Sequence, residues 1–506
     1  MWGLCLLGVV PLGCKTTKPE VPVPVVAPET FGQSGLEVLN ERWWEDFGDA
    51  ELNKLVEEAL SGNFSLAASW ERLSQAESQA RAAGVNLYPT LNSTGSFTRT
   101  LEKREIETPR AGQDPSVSVD YPSDRRYAFG LSANYELDLW GRIRSGRNAA
   151  RLDAEARLQD VQTAAVTLSA NVATTYFRLR EQEGQIALLT RQMETTESTL
   201  SLLETRFSQG RSGAADVLQQ RQLLESRKEE IRRAERERRV LEISLATLLG
   251  RIPEGFSQPG SGELPTPPPL PVTGVPSEWI LERPDLRSSM LAVQSADQRL
   301  AQALADRYPR VSLTGSFSTS DRRWRDLFDN WLASLAANVS APILDGGSRK
   351  IEVQRNQAVV LERLNNYGQA VVDALAEVET ALVQEEEQRA IITSIEEQLR
   401  LATQVEERVQ AEFIRGALEY LRVLDAQQSR QNLERELLSA RQQILQFRIA
   451  LYRALSRGVT MQKGAVREDF QQFLREPDLY PLPLTPPLIT ETTEPTTSIQ
   501  PEDTTP

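Results

Sequence analysis

The chain has 506 residues, 25% of them charged and 40% apolar, with a formal net charge of -14. These proportions exclude a bundle of membrane-spanning helices and a wholly disordered chain, and the acidic balance argues against a nucleic-acid partner, whose phosphates need a basic footprint. There is no histidine, and the two cysteines are Cys5 and Cys14; the commonest general base, the commonest metal ligand and any later thiolate are therefore missing, so neither an enzyme nor a cofactor is expected.

At the N-terminus, Leu4 to Leu12 is an apolar run too short to span a bilayer and suited to a signal-peptide core, predicted here as residues 1–13. It ends in Pro11-Leu12-Gly13-Cys14, which resembles a bacterial lipoprotein processing site and would make Cys14 the lipidated first residue of the mature chain. Pro11 stands where leucine is usual and the basic leader is missing, so an ordinary secretory signal remains the alternative. Residues 14–39 read as a Pro/Val-rich linker.

From there the chain states one pattern twice, over residues 40–250 and 277–456. Tyr88-Pro89-Thr90-Leu91 through Gly95-Ser96-Phe97 returns as Tyr308-Pro309-Arg310-Val311 through Gly315-Ser316-Phe317, and Phe207-Ser208-Gln209-Gly210 returns as Phe413-Ile414-Arg415-Gly416. A long internal repeat points to a duplicated structural unit. After each Tyr-Pro the apolar period falls to two. This predicts strands at about 88–99 and 126–138, then 309–319 and 330–341. In the first strand Leu91, Ser93, Gly95 and Phe97 fall on one face and Asn92, Thr94, Ser96 and Thr98 on the other, and in its partner Tyr127, Phe129, Leu131, Ala133, Tyr135 and Leu137 alternate with smaller or polar residues. Lys103 to Arg126 reads as a charged, proline-containing loop, longer than its counterpart.

Such strands suit a transmembrane β-barrel with a wet lumen, or a half-buried soluble hairpin. Four strands cannot enclose a lumen, and open edges do not survive in lipid, so a membrane reading requires several chains to pool their strands.

Helical hairpins follow, at about 141–249 and 345–455, their second helices running from Ala214 to about Leu249 and from Leu418 to about Leu455. In the first, Ala165, Val172, Leu179, Ile186, Met193, Leu200 and Phe207 recur at seven-residue steps, predicting a helix of roughly 100 Å supercoiled against neighbours. The run Arg227 to Arg236 places Glu229 four residues before Arg233 and reads as a solvated helix face. Residues 251–276 are a Pro/Gly-rich linker. The C-terminal segment 457–506 is expected to be disordered from about 482.

The order helices, Tyr-Pro, strand, loop, strand, long helix, tip, long helix resembles the TolC-like outer-membrane efflux proteins, in particular the NodT-type lipoprotein branch serving resistance-nodulation-division pumps. The matching segments are Trp43-Trp44-Glu45-Asp46-Phe47-Gly48, Glu136-Leu137-Asp138-Leu139-Trp140-Gly141-Arg142, Glu282-Arg283-Pro284-Asp285-Leu286, Leu344-Asp345-Gly346-Gly347-Ser348-Arg349 and Val423-Leu424-Asp425-Ala426-Gln427. The resemblance covers residues 40 to 456. It implies an α+β membrane protein in which three chains give four strands each to one twelve-stranded transmembrane barrel, continued by a coiled-coil periplasmic tunnel. It implies a homotrimer in outer-membrane lipid that takes small molecules from an inner-membrane pump through a periplasmic adaptor. It also implies that adaptor-contacting tips lie at Gly210, Arg211 and Gly213 and at Gly416, Ala417 and Leu418. Asp216, Arg422 and Asp425 then become candidates for the periplasmic constriction, with Asp216 and Arg422 as a latch; each aspartate also fits an ordinary solvated face. A type I secretion duct shares this fold and remains an alternative, and a periplasmic adaptor or a non-pore coiled-coil lipoprotein fits the paired strands less well.

Overall fold

The computed structural model describes residues 28, 30–35, 39–110, 113–257, 263–273 and 276–459. Cys14, the signal segment, most of the linker after it and the tail from 460 lie outside the described residues.

After a 3-10 turn at Trp43–Phe47 come α1 (Ala50–Gly62) and α2 (Phe64–Val85). Strand β1 (Thr90–Leu101), the pair β2 (Arg104–Arg110) and β3 (Gln113–Asp120), and β4 (Ser123–Leu137) lead into α3 (Arg142–Ser208) and α4 (Ala214–Leu248). The second half runs α5 (Pro276–Glu282), α6 (Pro284–Ala305), β5 (Arg310–Asp321), β6 (Trp331–Ser340), α7 (Ser348–Ile414) and α8 (Tyr420–Leu455). The two long helices α3 and α7 are each 67 residues and each follow a glycine N-cap, Gly141 and Gly347.

Two boundaries differ from the sequence-based expectation. The segment between Lys103 and Arg126 is mostly strand: β2 and β3 form their own antiparallel ribbon, and β4 begins at Ser123. The register of the ribbon shifts between Thr108 and Arg110, where Pro109 has no N–H to donate to a ladder. Charge and proline pointed to a loop, and the alternation of Ile106, Val117 and Val119 with polar residues was the stronger signal. The second helix of the second hairpin starts at Tyr420 rather than Leu418.

Caps join the elements as well as ending them. Asp49 Oδ1 accepts from Glu51 N and Leu52 N at the start of α1, while its Oδ2 accepts from Tyr176 Oη of α3 at 2.8 Å. Asn63 Oδ1 caps α2 through Ser65 N and Leu66 N, and its Nδ2 donates to Leu248 O at the end of α4. The second half solves the same problem with other residues. Arg283 Nη1 donates to Ala454 O at the end of α8, and Asp285 Oδ1 accepts from Leu286 N as α6 begins. Thus α2 stands on the end of α4, and α6 on the end of α8. Orphan carbonyls at one helix end are met by polar groups at the start of the next.

The main core gathers around these junctions. Trp43, Trp44 and Phe47 pack against Phe177 and Tyr452, with Phe47–Phe177 ring centroids 5.2 Å apart. Phe177, Leu179, Leu245 and Leu445 are fully or almost fully buried, each contributing on the order of 1.5–3 kcal/mol relative to exposure. A second cluster centres on Trp279, Leu286, Val371, Val378 and Leu455. Phe31 from the N-terminal arm enters it edge-on to Trp279, and Gly32 N and Gln33 Nε2 donate to Glu379 and Glu386 of α7. The rotamer entropy lost by a crossing arm is offset here by one buried aromatic ring and its backbone bonds.

Candidate functional site: sheet faces, junction, seam and tips

The sheet order is β1-β4-β5-β6, all antiparallel. Register pairs Phe97 with Tyr127, Leu131 with Phe317, Leu313 with Ala337 and Val311 with Val339. Because side chains alternate, these pairings put the apolar sets of all four strands on one face. That face is open to the surroundings: Leu91, Phe97, Leu335 and Val339 are all exposed, Leu335 by 84%. The other face carries Thr94, Ser96, Ser132, Thr314, Ser316, Ser334 and Asn338, with a Ser316–Ser334 hydrogen bond of 2.7 Å. Among the described residues, β1 and β6 each have one unpaired edge. No described helix is long and apolar enough to cross a membrane.

At the sheet–helix junction the Glu136-Leu137-Asp138-Leu139-Trp140-Gly141-Arg142 segment has a task for each polar residue. Glu136 holds Arg142 in a bidentate pair at 2.9 Å. Asp138 accepts from Ile143 N and Arg144 N, satisfying orphan donors at the start of α3. Its burial opposes ionisation, but those backbone donors and the Arg144 guanidinium outweigh it and hold the carboxyl below the usual range. Trp140 stacks on Tyr308 and donates to Pro309 O at 2.7 Å, fastening the second Tyr-Pro to the first junction.

Below the core, the hairpins meet along a polar seam. The seven-residue apolar track is buried through Ala165, Val172 and Leu179. Beyond that Ile186, Met193 and Leu200 are only partly buried and Phe207 is exposed. The buried positions pass to Gln185, Gln192, Thr196 and Leu203, because a straight helix drifts relative to a strict heptad. Gln185 donates to Arg435 O, and Gln192 donates to Gln431 O and Glu434. Buried Arg227 of α4 donates to Gln431 Oε1 at 2.9 Å and to Glu230 at 2.6 Å. Burial and the neighbouring Arg227 charge lower the pKa of Arg435.

The tips turn at Gly210 and Gly416, with φ of 69° and 80°, a left-handed conformation that suits glycine. Arg211, Gly213 and Ala417 are exposed and Leu418 is half-buried. Just inside them, Leu203, Val217, Leu223, Tyr420, Val423 and Leu424 form a small apolar cluster. Tyr420 Oη donates to Gln220 Oε1 at 2.5 Å, Gln220 Nε2 donates to Thr196 O, and the Arg206 guanidinium lies 4.4 Å from the Phe413 ring centroid. Burial, then the Asp216 charge, raises the Tyr420 pKa.

Among the described residues Asp216 and Arg422 do not form the expected ion pair. Asp216 Oδ2 accepts from Ser212 Oγ and Gly213 N, so local helix capping takes the carboxylate first. Arg422 and Asp425 are both exposed on α8. Sequence reasoning missed Tyr420, Gln220 and Arg206. A tyrosine three residues before Val423-Leu424, where the first half has Ala214, was the available signal.

The family model described as outer membrane efflux protein matches residues 55–251 and 275–457. The chain is 29% identical to the pyoverdine export outer membrane protein OpmQ of Pseudomonas putida, over 90% of this chain and 97% of that one. It is 31% identical to OpmQ of Pseudomonas aeruginosa (85% and 90%) and 26% identical to the cation efflux system protein CusC of Escherichia coli (87% and 94%). Among solved structures, the outer-membrane channel OprN superposes with a TM-score of 0.76 at 26% identity, covering 87% of this chain and 98% of that one. A CusC structure follows at 0.75 and 23% (86% and 97%), a likeness of fold. A duplicated sheet-and-hairpin architecture with these matches places the chain in the outer membrane: it belongs to the outer membrane efflux protein family.

Proposed function

We propose that this chain is the outer-membrane duct of a tripartite efflux system, working as a homotrimer without an energy source of its own. The observation that supports this most is the four-stranded sheet, which has one continuous apolar face and two unpaired edges and is joined to two 67-residue helices. Open edges are not tolerated in hydrocarbon, and closure by three copies gives twelve strands, polar inside and apolar outside. The helices then extend the lumen into the periplasm, where the tips at Gly210–Gly213 and Gly416–Leu418 meet an adaptor carried by an inner-membrane pump of the resistance-nodulation-division type. Rings of Asp425 and Arg422 from three copies set the electrostatics of the periplasmic constriction, with Asp216 kept as a helix cap. Lipidation at Cys14 supplies a further anchor, and the cargo is a small molecule chosen by the pump.

Purified in detergent, the protein should have the mass of three chains and should give discrete conductance steps in planar bilayers. A stable monomer that makes no channels would sink the reading.

A further inference from the structure

The two free edges of the protomer differ, and each carries an unpartnered charge at the same height. Laterally the elements run α2 on α4, then α3, then α6 on α8, then α7, in step with β1-β4-β5-β6. The free edges are therefore α4 and α7. On α4 the buried face runs through Ala234, Leu241 and Leu245. A helix turns 3.6 residues at a time, so the face opposite holds Glu229, Arg232, Arg236 and Ile243, with Arg233 and Val240 on its flank, all exposed. Arg233 pairs with Glu229, but among the described residues Arg232 and Arg236 have no ion-pair or hydrogen-bond partner. On α7 the buried face runs through Val371, Ala374 and Val378, and the opposite face holds Val383, 56% exposed, and exposed Glu387, likewise without a partner.

Heights can be read across the molecule. Helices α3 and α7 have equal length and equivalent starts, and α8 meets both levelly, Gln185 of α3 at Arg435 and Gln388 of α7 at Ala440. Arg178 of α3, whose equivalent on α7 is Gln384, lies 3.4 Å from Glu237 of α4. Arg236 and Arg233, just below Glu237, are therefore level with the turn of α7 that carries Glu387, and Val240 is level with Val383. Rotation about an axis parallel to the helices moves nothing along that axis, so an edge meets only residues at its own height on the next copy.

We propose that α4 of one copy and α7 of the next form the seam between protomers, with Arg232, Arg233 and Arg236 enclosing Glu387 and with Val240 against Val383. This deepens the homotrimer reading and rests on it. The contact is head-to-tail, so each copy uses both edges once and the ring closes. A slip of one turn would bring Glu387 toward Glu229 or against Val240, so the charge fixes register by penalising the alternatives. The basic run that reads as a solvated face in the sequence thereby has an occupant, an acidic residue of a second copy of this chain.

The test uses the full-length protein carrying Arg236→Cys together with Glu387→Cys, treated in detergent with a short bis-maleimide, with each single variant controlling for Cys14. A covalent trimer from the double variant alone is expected. In parallel, Glu387→Arg should speed trimer dissociation roughly tenfold, and adding Arg233→Glu and Arg236→Glu should restore it. A double-cysteine protein that stays trimeric but gives no cross-linked species overturns the seam and leaves the trimer standing, as does a Glu387→Arg trimer as durable as wild type. A monomeric wild-type protein removes the trimer reading and the seam together.

Discussion

Arg448 shows how one buried charge can tie distant stretches of chain together. It is fully buried, and it donates to both carboxylate oxygens of Glu385 on α7 and to the carbonyls of Pro268 and Pro269 in the linker between the halves. Prolines offer carbonyls without competing N–H groups, so a guanidinium can take up two of them and a carboxylate at once. Removing Arg448 leaves buried Glu385 with only the exposed Arg389 as counter-charge and strands the two proline carbonyls, a loss at or below the ~3–5 kcal/mol that breaking a buried pair typically costs. Arg448→Ala should therefore lower the thermal unfolding midpoint in detergent by several degrees. Arg448→Lys should recover less than half of that, because an ammonium cannot reproduce the fork. An Arg448→Lys protein as stable as wild type would count against this role. None of this was legible in the sequence, because Glu385 and the prolines are far from Arg448 along the chain and only packing brings them together.

At the scale of elements, Asp138 makes the start of α3 sensitive to acid. Its carboxyl is held below its ordinary range, so the folded state favours the charged form. The stabilisation is present at neutral pH and is lost as pH falls through the lowered folded value. Asp138→Asn should loosen the junction at neutral pH by about 1 kcal/mol, the usual worth of a cap, and should flatten the acid limb of the stability profile below pH 4. An unchanged acid limb would remove Asp138 from the account. Strand faces and hairpins were readable because each depends on a period of two or about 3.6 within one segment. The seam was not, because Gln185 and Gln192 are polar and a count of apolar residues passes over them. The local role of Asp216 escaped for a related reason: its partners are Ser212 and Gly213 beside it, whereas sequence reasoning turned to Arg422, far away along the chain.

For the molecule as a whole, packing is graded along its length. Residues 161–179, 241–249 and 445–452 share the large apolar core, whereas the tips depend on six buried apolar residues and a few polar contacts. Local opening free energies follow such density. Hydrogen exchange should accordingly be fastest at 205–216 and 411–422 and slowest at 165–179. Equal protection along α3 would refute the gradient.

The end-to-end stacking of α2 on α4 and of α6 on α8 has a further consequence. Of the four columns in the chain, α3 and α7 are single timbers, while the other two are spliced, at Asn63 with Leu248 and at Arg283 with Ala454. Both splices occur at equivalent places and so at one latitude, beside the main core. Bending of α4 and α8 below that level therefore reaches α2 and α6 only through the side chains of Asn63 and Arg283 and the packing beside them, whereas α3 and α7 carry it unbroken.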